Sequence, residues 1–282
     1  MSKAHISIVT DSTADLPAAL LDRYRIHVVP AILVIDGHSL EDGRGITRQE
    51  FYERMPKMKK APTTSAPSSG AFAWLYQELL QAGASQVISI HIDSNLSGIY
   101  NVARVAAREF GERVQVIDSG QLSLGLGFQV ISAAQASLVG DSFPAIQARL
   151  AALRPRLRVM AMLDTLEYVR RSGRVSWLSA SMGSLLQIKP FLSIAEGHVS
   201  RLGEARTRRK GIQRLYQILR SYGPLESLAV LHTNAEADAL EMQQAFAPEV
   251  PELPLVVNVT TTIGTHVGPN GLGFAAVLRH SS

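Results

Sequence analysis

Short β-branched runs that each end in a small polar cluster, directly ahead of an amphipathic stretch, constrain this fold more than any other feature. Ile6–Val9 runs into "TDSTADLP", residues 86–90 run into "HIDSNLSGIY", and residues 113–117 run into "DSGQLSLGLG". Strand-then-helix, repeated, argues for a mainly parallel sheet whose functional edge lies at the strand C-termini. We therefore expect an α/β protein of two domains, 1–155 with that sheet and 156–282, with any ligand held between or beneath the strand C-terminal loops. At 282 residues and 46% hydrophobic the chain is long enough for both cores.

Finer reading places a helix after Pro17, capped by Ser12 or Asp15, and a single proline-bearing strand over 27–35. Helices are expected at 48–58 with a Thr47 cap, at 69–81, at about 97–109, at 123–139 and within "DSFPAIQARLAAL". In the second half "RVMAML" reads as a strand and "KPFLSIAEGHVSRL" as a hairpin turning at Glu196 and Gly197. A basic helix over 206–221, a strand over 227–232 and a helix over 234–247 follow. The chain then closes with a strand, a glycine-rich loop containing His266, and a last strand.

Composition removes several chemistries. There is no cysteine, so a disulfide framework, a thiolate metal site and a cysteine nucleophile are excluded. The apolar run before Asp11 is too short for a signal-peptide core or a membrane span, so a cytoplasmic location is expected. No phosphate-binding GxxxxGK[ST] loop, HExxH, GxSxG or Ser-x-x-Lys motif occurs, and "GPNGLG" lacks the spacing of a dinucleotide fingerprint. Asp11, Asp15, Asp93 and Asp118 stand near strand ends, but caps and turns account for each and their spacing specifies no metal. The stretch "RLGEARTRRKGIQR" is basic but poor in aromatics and matches no nucleic-acid fold, so it reads as a solvated face.

What remains points to an anion. A strand end feeding a helix start gathers unpaired N–H groups and the positive end of the helix dipole. "DSNLSG" has this form, with Ser97 as a hydroxyl donor or N-cap and Gly98 permitting close approach; "TTSAPSSGAF" repeats it around Thr64 and Ser65. "IGTHVGPNGLGF" offers His266, and "LEYVRRSGRVS" offers Arg174 after a glycine turn. On these residues alone, a hydrolase or transferase acting on a small phosphorylated metabolite, with Ser97 or His266 catalytic, stays open beside a binding role.

Together "IVTDSTADLP", "TTSAPSSGAF", "ISIHIDSNLSGIYNVA", "VIDSGQLSLGLG", "LDTLEYVRRSGRVS", "LLQIKPFLSIAEGHV", "EARTRRK" and "GTHVGPNGLGF" resemble the DegV family of bacterial fatty-acid-binding proteins, in order and over nearly the whole chain. The resemblance implies a carrier rather than an enzyme: one long-chain fatty acid in an apolar tunnel, presented to a separate ATP-dependent kinase subunit for acyl phosphate formation. No cofactor, metal or nucleic acid is implied, and transient contact with a membrane surface is compatible with it. It places the fatty acid carboxylate at Thr64, Ser97 and His266 and carries over Arg174; from the residues themselves we expect Ser65, Gly98 and Arg206, with Arg174, near the site or at the partner-docking surface, and Arg208 helping to steer the partner. The sequence departs from the family pattern at Ala66, Asp93, Ile99 and Ser172, where glutamine, serine, threonine and glycine are usual. Asp93 matters most, because a second carboxylate beside the ligand's would repel it unless turned away to cap a helix.

Overall fold

The computed structural model describes residues 5–173, 188–195 and 197–280. In chain order the strands are β1 (Ile6–Asp11), β2 (Ile26–Val29), β3 (Ile32–Ile35), β4 (His38–Glu41), β5 (Thr63–Ser65), β6 (Gln86–His91), β7 (Val114–Asp118), β8 (Leu157–Met162), β9 (Lys189–Ala195), β10 (His198–Ala205), β11 (Leu225–His232), β12 (Leu255–Asn258) and β13 (Leu272–Leu278). The helices are α1 (Ala18–Tyr24), α2 (Arg48–Arg54), α3 (Ser69–Gln81), α4 (Ile99–Ala107), α5 (Ser123–Val139), α6 (Phe143–Leu153), α7 (Glu167–Ser172), α8 (Arg208–Ser221), α9 (Glu236–Phe246) and α10 (Thr261–Val267). Contacts divide the chain into two compact units, Met1–Ile32 with Ser65–Pro155, and Leu33–Thr64 with Arg156–Ser282.

The first unit is built on a four-stranded sheet in the order β2-β1-β6-β7, every pair parallel. Its central strands β1 and β6 are buried almost throughout, which is why they read as apolar runs. Helix α3 begins where Ser68 Oγ accepts the Ala71 N–H at 3.2 Å. Helix α5 ends at Gly140, whose φ of 86° closes the last turn. The expected caps of α1 do other work: Ser12 Oγ accepts the N–H of Ala31 at 3.1 Å, and Asp15 accepts the Ser123 hydroxyl at 2.6 Å.

The second unit carries a six-stranded sheet, β10-β9-β8-β13-β11-β12, in which β11–β12 is parallel and the other pairs are antiparallel. Leu215 and Leu219 of α8 and Met242 and Phe246 of α9 pack with Met160, Met162, Phe191 and Phe274 of this sheet. The smaller sheet β4-β3-β5 belongs with α2, where Leu33, Ile35, Phe51, Tyr52 and Met55 form a separate cluster.

Three expectations need correction. The strand expected over 27–35 is two, because Pro30 interrupts it: β2 is an edge of the first sheet and β3 joins another. Residues 33–64, placed by sequence in the first domain, group with the second unit. The bonds that hold them are non-local: Tyr52 Oη donates to Val259 O at 2.8 Å, Thr261 Oγ1 donates to Asp42 at 2.7 Å, and Arg48 donates to Asn258 O. Finally, His266 lies on helix α10 and not in a loop.

Candidate functional site

The glycines of "IGTHVGPNGLGF" serve close packing. A Cβ on Gly264 would stand 2.2 Å from Tyr52 Oη of α2, and one on Gly268, whose φ is +79°, would stand 2.2 Å from the Tyr168 ring of α7. Two bare backbone positions thus let α10 press against both helices. Inside α10, Thr265 Oγ1 donates back to Thr261 O at 2.8 Å.

That packing brings His266 to Thr64 on β5: Thr64 Oγ1 lies 2.8 Å from His266 Nε2. Both side chains are half-buried and open on a cleft of about 370 Å³, walled by Met55, Met58, Pro62 and Tyr168 and rimmed by Lys59 and Arg171. With its proton on Nε2, His266 donates to Thr64 and leaves the threonine hydrogen free to meet an acceptor in the cleft. Burial, reinforced by Glu167, raises the Tyr168 phenol above its usual pKa, so it stays neutral and able to donate. Arg171 is paired with Glu167, whereas Lys57, Lys59 and Lys60 are exposed and form no ion pair among the described residues.

Ser97 and Gly98 belong to the first unit, at the C-terminal end of β6. Their loop is suspended by carboxylates: Asp118 accepts the N–H groups of Ser94 at 3.2 Å and Gly120 at 3.0 Å, and Asp93 Oδ1 accepts that of Asn95 at 2.7 Å. The Asp93 carbonyl takes the N–H of Ser97 at 3.1 Å. Asp93, the departure that mattered, is therefore committed to its own turn. Ser97 Oγ accepts the Ile99 N–H at 3.3 Å, as a cap does, and its hydroxyl hydrogen can still donate outward. Gly98 has an ordinary φ of −71° and open space where a Cβ would be, so its backbone is approachable but glycine is not required.

Ser65 is exposed at the end of β5, and Arg206 is exposed just before α8. Arg208, expected to steer a partner, is engaged within the fold. Its Nε donates to Asp238 at 2.7 Å and its Nη1 to Asn270 O at 2.6 Å. Arg174 lies outside the described residues. Sequence reasoning missed the cleft walls Met55, Met58 and Tyr168; the visible signal was the lysine-dense "PKMKKAP" just ahead of Thr64.

Among the described residues no cluster of three or more His, Asp or Glu side chains is arranged to hold a metal ion, and no helix is long and apolar enough to cross a membrane. The chain thus builds a parallel α/β unit with a hydroxyl-bearing loop at a strand end, and a mixed-sheet unit whose Thr–His pair opens on a partly apolar cleft. The chain belongs to the DegV family: the model described as "Uncharacterised protein, DegV family" matches residues 5–279. A DegV domain-containing protein of Streptomyces coelicolor is 35% identical over 283 residues, 98% of this chain and 99% of the relative. A DegV family protein from Thermus thermophilus, its structure described for fatty acid binding, superposes with a TM-score of 0.90 at 34% identity, over 98% of this chain and 100% of the other. DegV from Bacillus subtilis, described as a fatty acid binding protein, gives 0.86 at 31% identity, over 98% and 100%.

Proposed function

We propose that this protein binds a long-chain fatty acid and presents its carboxylate to a separate ATP-dependent kinase subunit that makes acyl phosphate. The observation that carries the binding half is the Thr64–His266 pair, 2.8 Å apart at a cleft walled by methionines and Tyr168. In this reading hydroxyl hydrogens of Thr64 and Ser97 meet the carboxylate, and His266 orients the threonine. Affinity comes chiefly from the tail, at about 0.8 kcal/mol per buried CH₂, and the head sets direction. The fatty-acid-binding relatives from Thermus thermophilus and Bacillus subtilis support the same ligand class.

The sequence contains no GxxxxGK[ST] motif, and we assign the reaction to a partner. Lys57, Lys59, Lys60 and Arg206 give exposed positive charge that suits an acidic partner surface or the triphosphate, and transient contact with an anionic membrane surface uses the same charge. The site of action is then the cytoplasm. Arg174 keeps its proposed role at the docking surface, with Ser65 and Gly98 beside the carboxylate.

The test is direct. Protein purified without added lipid is denatured in organic solvent and the extract is analysed by mass spectrometry. Fatty acid near one equivalent is expected, with strong depletion in Thr64→Ala/Ser97→Ala at an unchanged circular dichroism spectrum. Protein that is empty and takes up no added fatty acid, or a double variant with undiminished lipid, would refute the reading. Acyl phosphate formation is expected only when a kinase subunit and ATP are added; turnover by the isolated chain would overturn the carrier role.

A further inference from the structure

Within the first unit lies a chain of polar groups that the carboxylate site does not touch. Tyr76 Oη donates to Ser89 Oγ at 2.8 Å, Ser89 Oγ lies 2.6 Å from His91 Nε2, and His91 Nδ1 lies 2.9 Å from Asp11 Oδ2. The order Ser–His–Asp is that of a hydrolytic triad. Yet all four side chains have no exposed surface, so no substrate reaches Ser89.

Burial drives the Tyr76 phenol well above its usual pKa, so it is a donor, and Ser89 accepts from it. Ser89 then passes its own hydrogen to Nε2, which leaves the imidazole proton on Nδ1, aimed at Asp11. Besides Ser89 and Asp11, the His91 ring meets the Phe72 ring edge-on, centroids 5.1 Å apart. Asp11 uses its second oxygen on Thr13, taking the N–H at 3.0 Å and the hydroxyl as well. Its Oδ2, shared with His91, also accepts the N–H of Ile92 at 3.2 Å. Ile92 opens the loop whose next residue, Asp93, bonds the amide of Ser97.

We infer that His91 is a positioning residue for the Ser97 loop: by fixing Asp11 Oδ2 it clamps the Ile92 amide, and so sets where the Ser97 hydroxyl stands. This rests on the reading that Ser97 binds the fatty acid carboxylate. The clamp explains why a buried carboxylate and a buried imidazole are kept where apolar residues would pack at less cost.

The experiment measures the dissociation constant for oleate, by displacement of a fluorescent fatty acid, in full-length delipidated protein. The variants are His91→Gln, His91→Asn, Ser97→Ala and His91→Gln/Ser97→Ala, each with its melting temperature. Glutamine puts its amide near Nε2 and abandons Asp11; asparagine puts its amide near Nδ1 and keeps that bond. His91→Gln should weaken binding roughly fivefold, within the range for coupled neighbours, and add nothing in the Ser97→Ala background. His91→Asn should recover most of that loss. An equal loss in both backgrounds, or equal losses for glutamine and asparagine, would overturn the inference while leaving the binding site in place. Ser97→Ala binding like wild type would overturn the site assignment and this inference with it. Should His91→Gln not fold, Tyr76→Phe takes its place, since it removes the donor that sets the relay's direction; its loss must also vanish when Ser97 is alanine.

Discussion

Gly264→Ala tests whether close packing of α10 against Tyr52 builds the Thr64–His266 pair. The new Cβ would lie 2.2 Å from Tyr52 Oη, 2.5 Å from Cε1 and 2.6 Å from Cζ, against the ~3.5–4.0 Å of ordinary contact. Tyr52 is almost fully buried, so its ring or the helix must move by about 1 Å. Overpacking of this kind costs about 1–3 kcal/mol. Losing the Tyr52–Val259 hydrogen bond adds about 1 kcal/mol, and replacing a helical glycine by alanine returns about the same. The net expectation is about 1–3 kcal/mol, a fall in melting temperature of roughly 2–12 °C. His266 is two residues downstream, so weaker oleate binding should accompany the fall. Tyr52→Phe supplies the refutation: it deletes Oη but leaves both ring carbons in the way, so the alanine should still destabilise in that background. A Gly264→Ala protein as stable as wild type, or full relief by Tyr52→Phe, would show that the ring does not hold α10.

Other outcomes follow from single groups. Arg208→Ala strips Asp238 of its partner and Asn270 of a donor at a partly buried site, and should lower stability by about 1–2 kcal/mol in chemical denaturation. Thr262→Val removes a buried hydroxyl that has no hydrogen-bond partner among the described residues, and should leave stability unchanged or raise it by up to about 1 kcal/mol in the same assay. His232 is held toward its neutral form: its Nδ1 accepts the Ala235 N–H at 3.1 Å, and burial, opposed by Glu236 and aided by Arg48, lowers its pKa from 6.5. Between pH 6.5 and that lower value the unfolded chain binds more protons than the native one, so stability is complete above pH 6.5 and falls as the pH drops below it. Denaturation midpoints from pH 7.5 to 5 should show that fall, and His232→Asn should flatten it; an unchanged slope in the variant would assign the loss elsewhere, first to His27, which burial shifts the same way.

Local chemistry made much of the fold readable. Helices α3 and α5 fall on the expected 69–81 and 123–139, because apolar spacing and the Gly140 stop are both written within one segment. Helix α10 was invisible for the opposite reason: "TTIGTHV" has β-branched residues and a glycine, poor helix formers, and it is helical because Tyr52 and Tyr168, far away in sequence, pack on its bare faces. The same non-locality hid the membership of residues 33–64. Of the site, Thr64 and His266 were legible as polar residues in glycine- and serine-rich surroundings, but their bond was not. The Asp11–His91 pair left a fainter trace, two polar residues closing neighbouring apolar strands whose register sets Thr10 beside Ile90.

The chain passes between its two units at Ile32/Leu33, Thr64/Ser65 and Pro155/Arg156. During synthesis the first unit is therefore complete before most of the second, with which residues 33–64 group, has been made. Tyr52 must wait for Val259, made 207 residues after it, and for α10 just beyond. At ~5–20 residues per second that wait is on the order of ten seconds. Throughout it the nascent protein carries an apolar segment flanked by finished structure, so a truncated chain ending near residue 155 should be a chaperone client, and recovery of the full-length protein should depend more on translation speed than the stability of either unit would suggest.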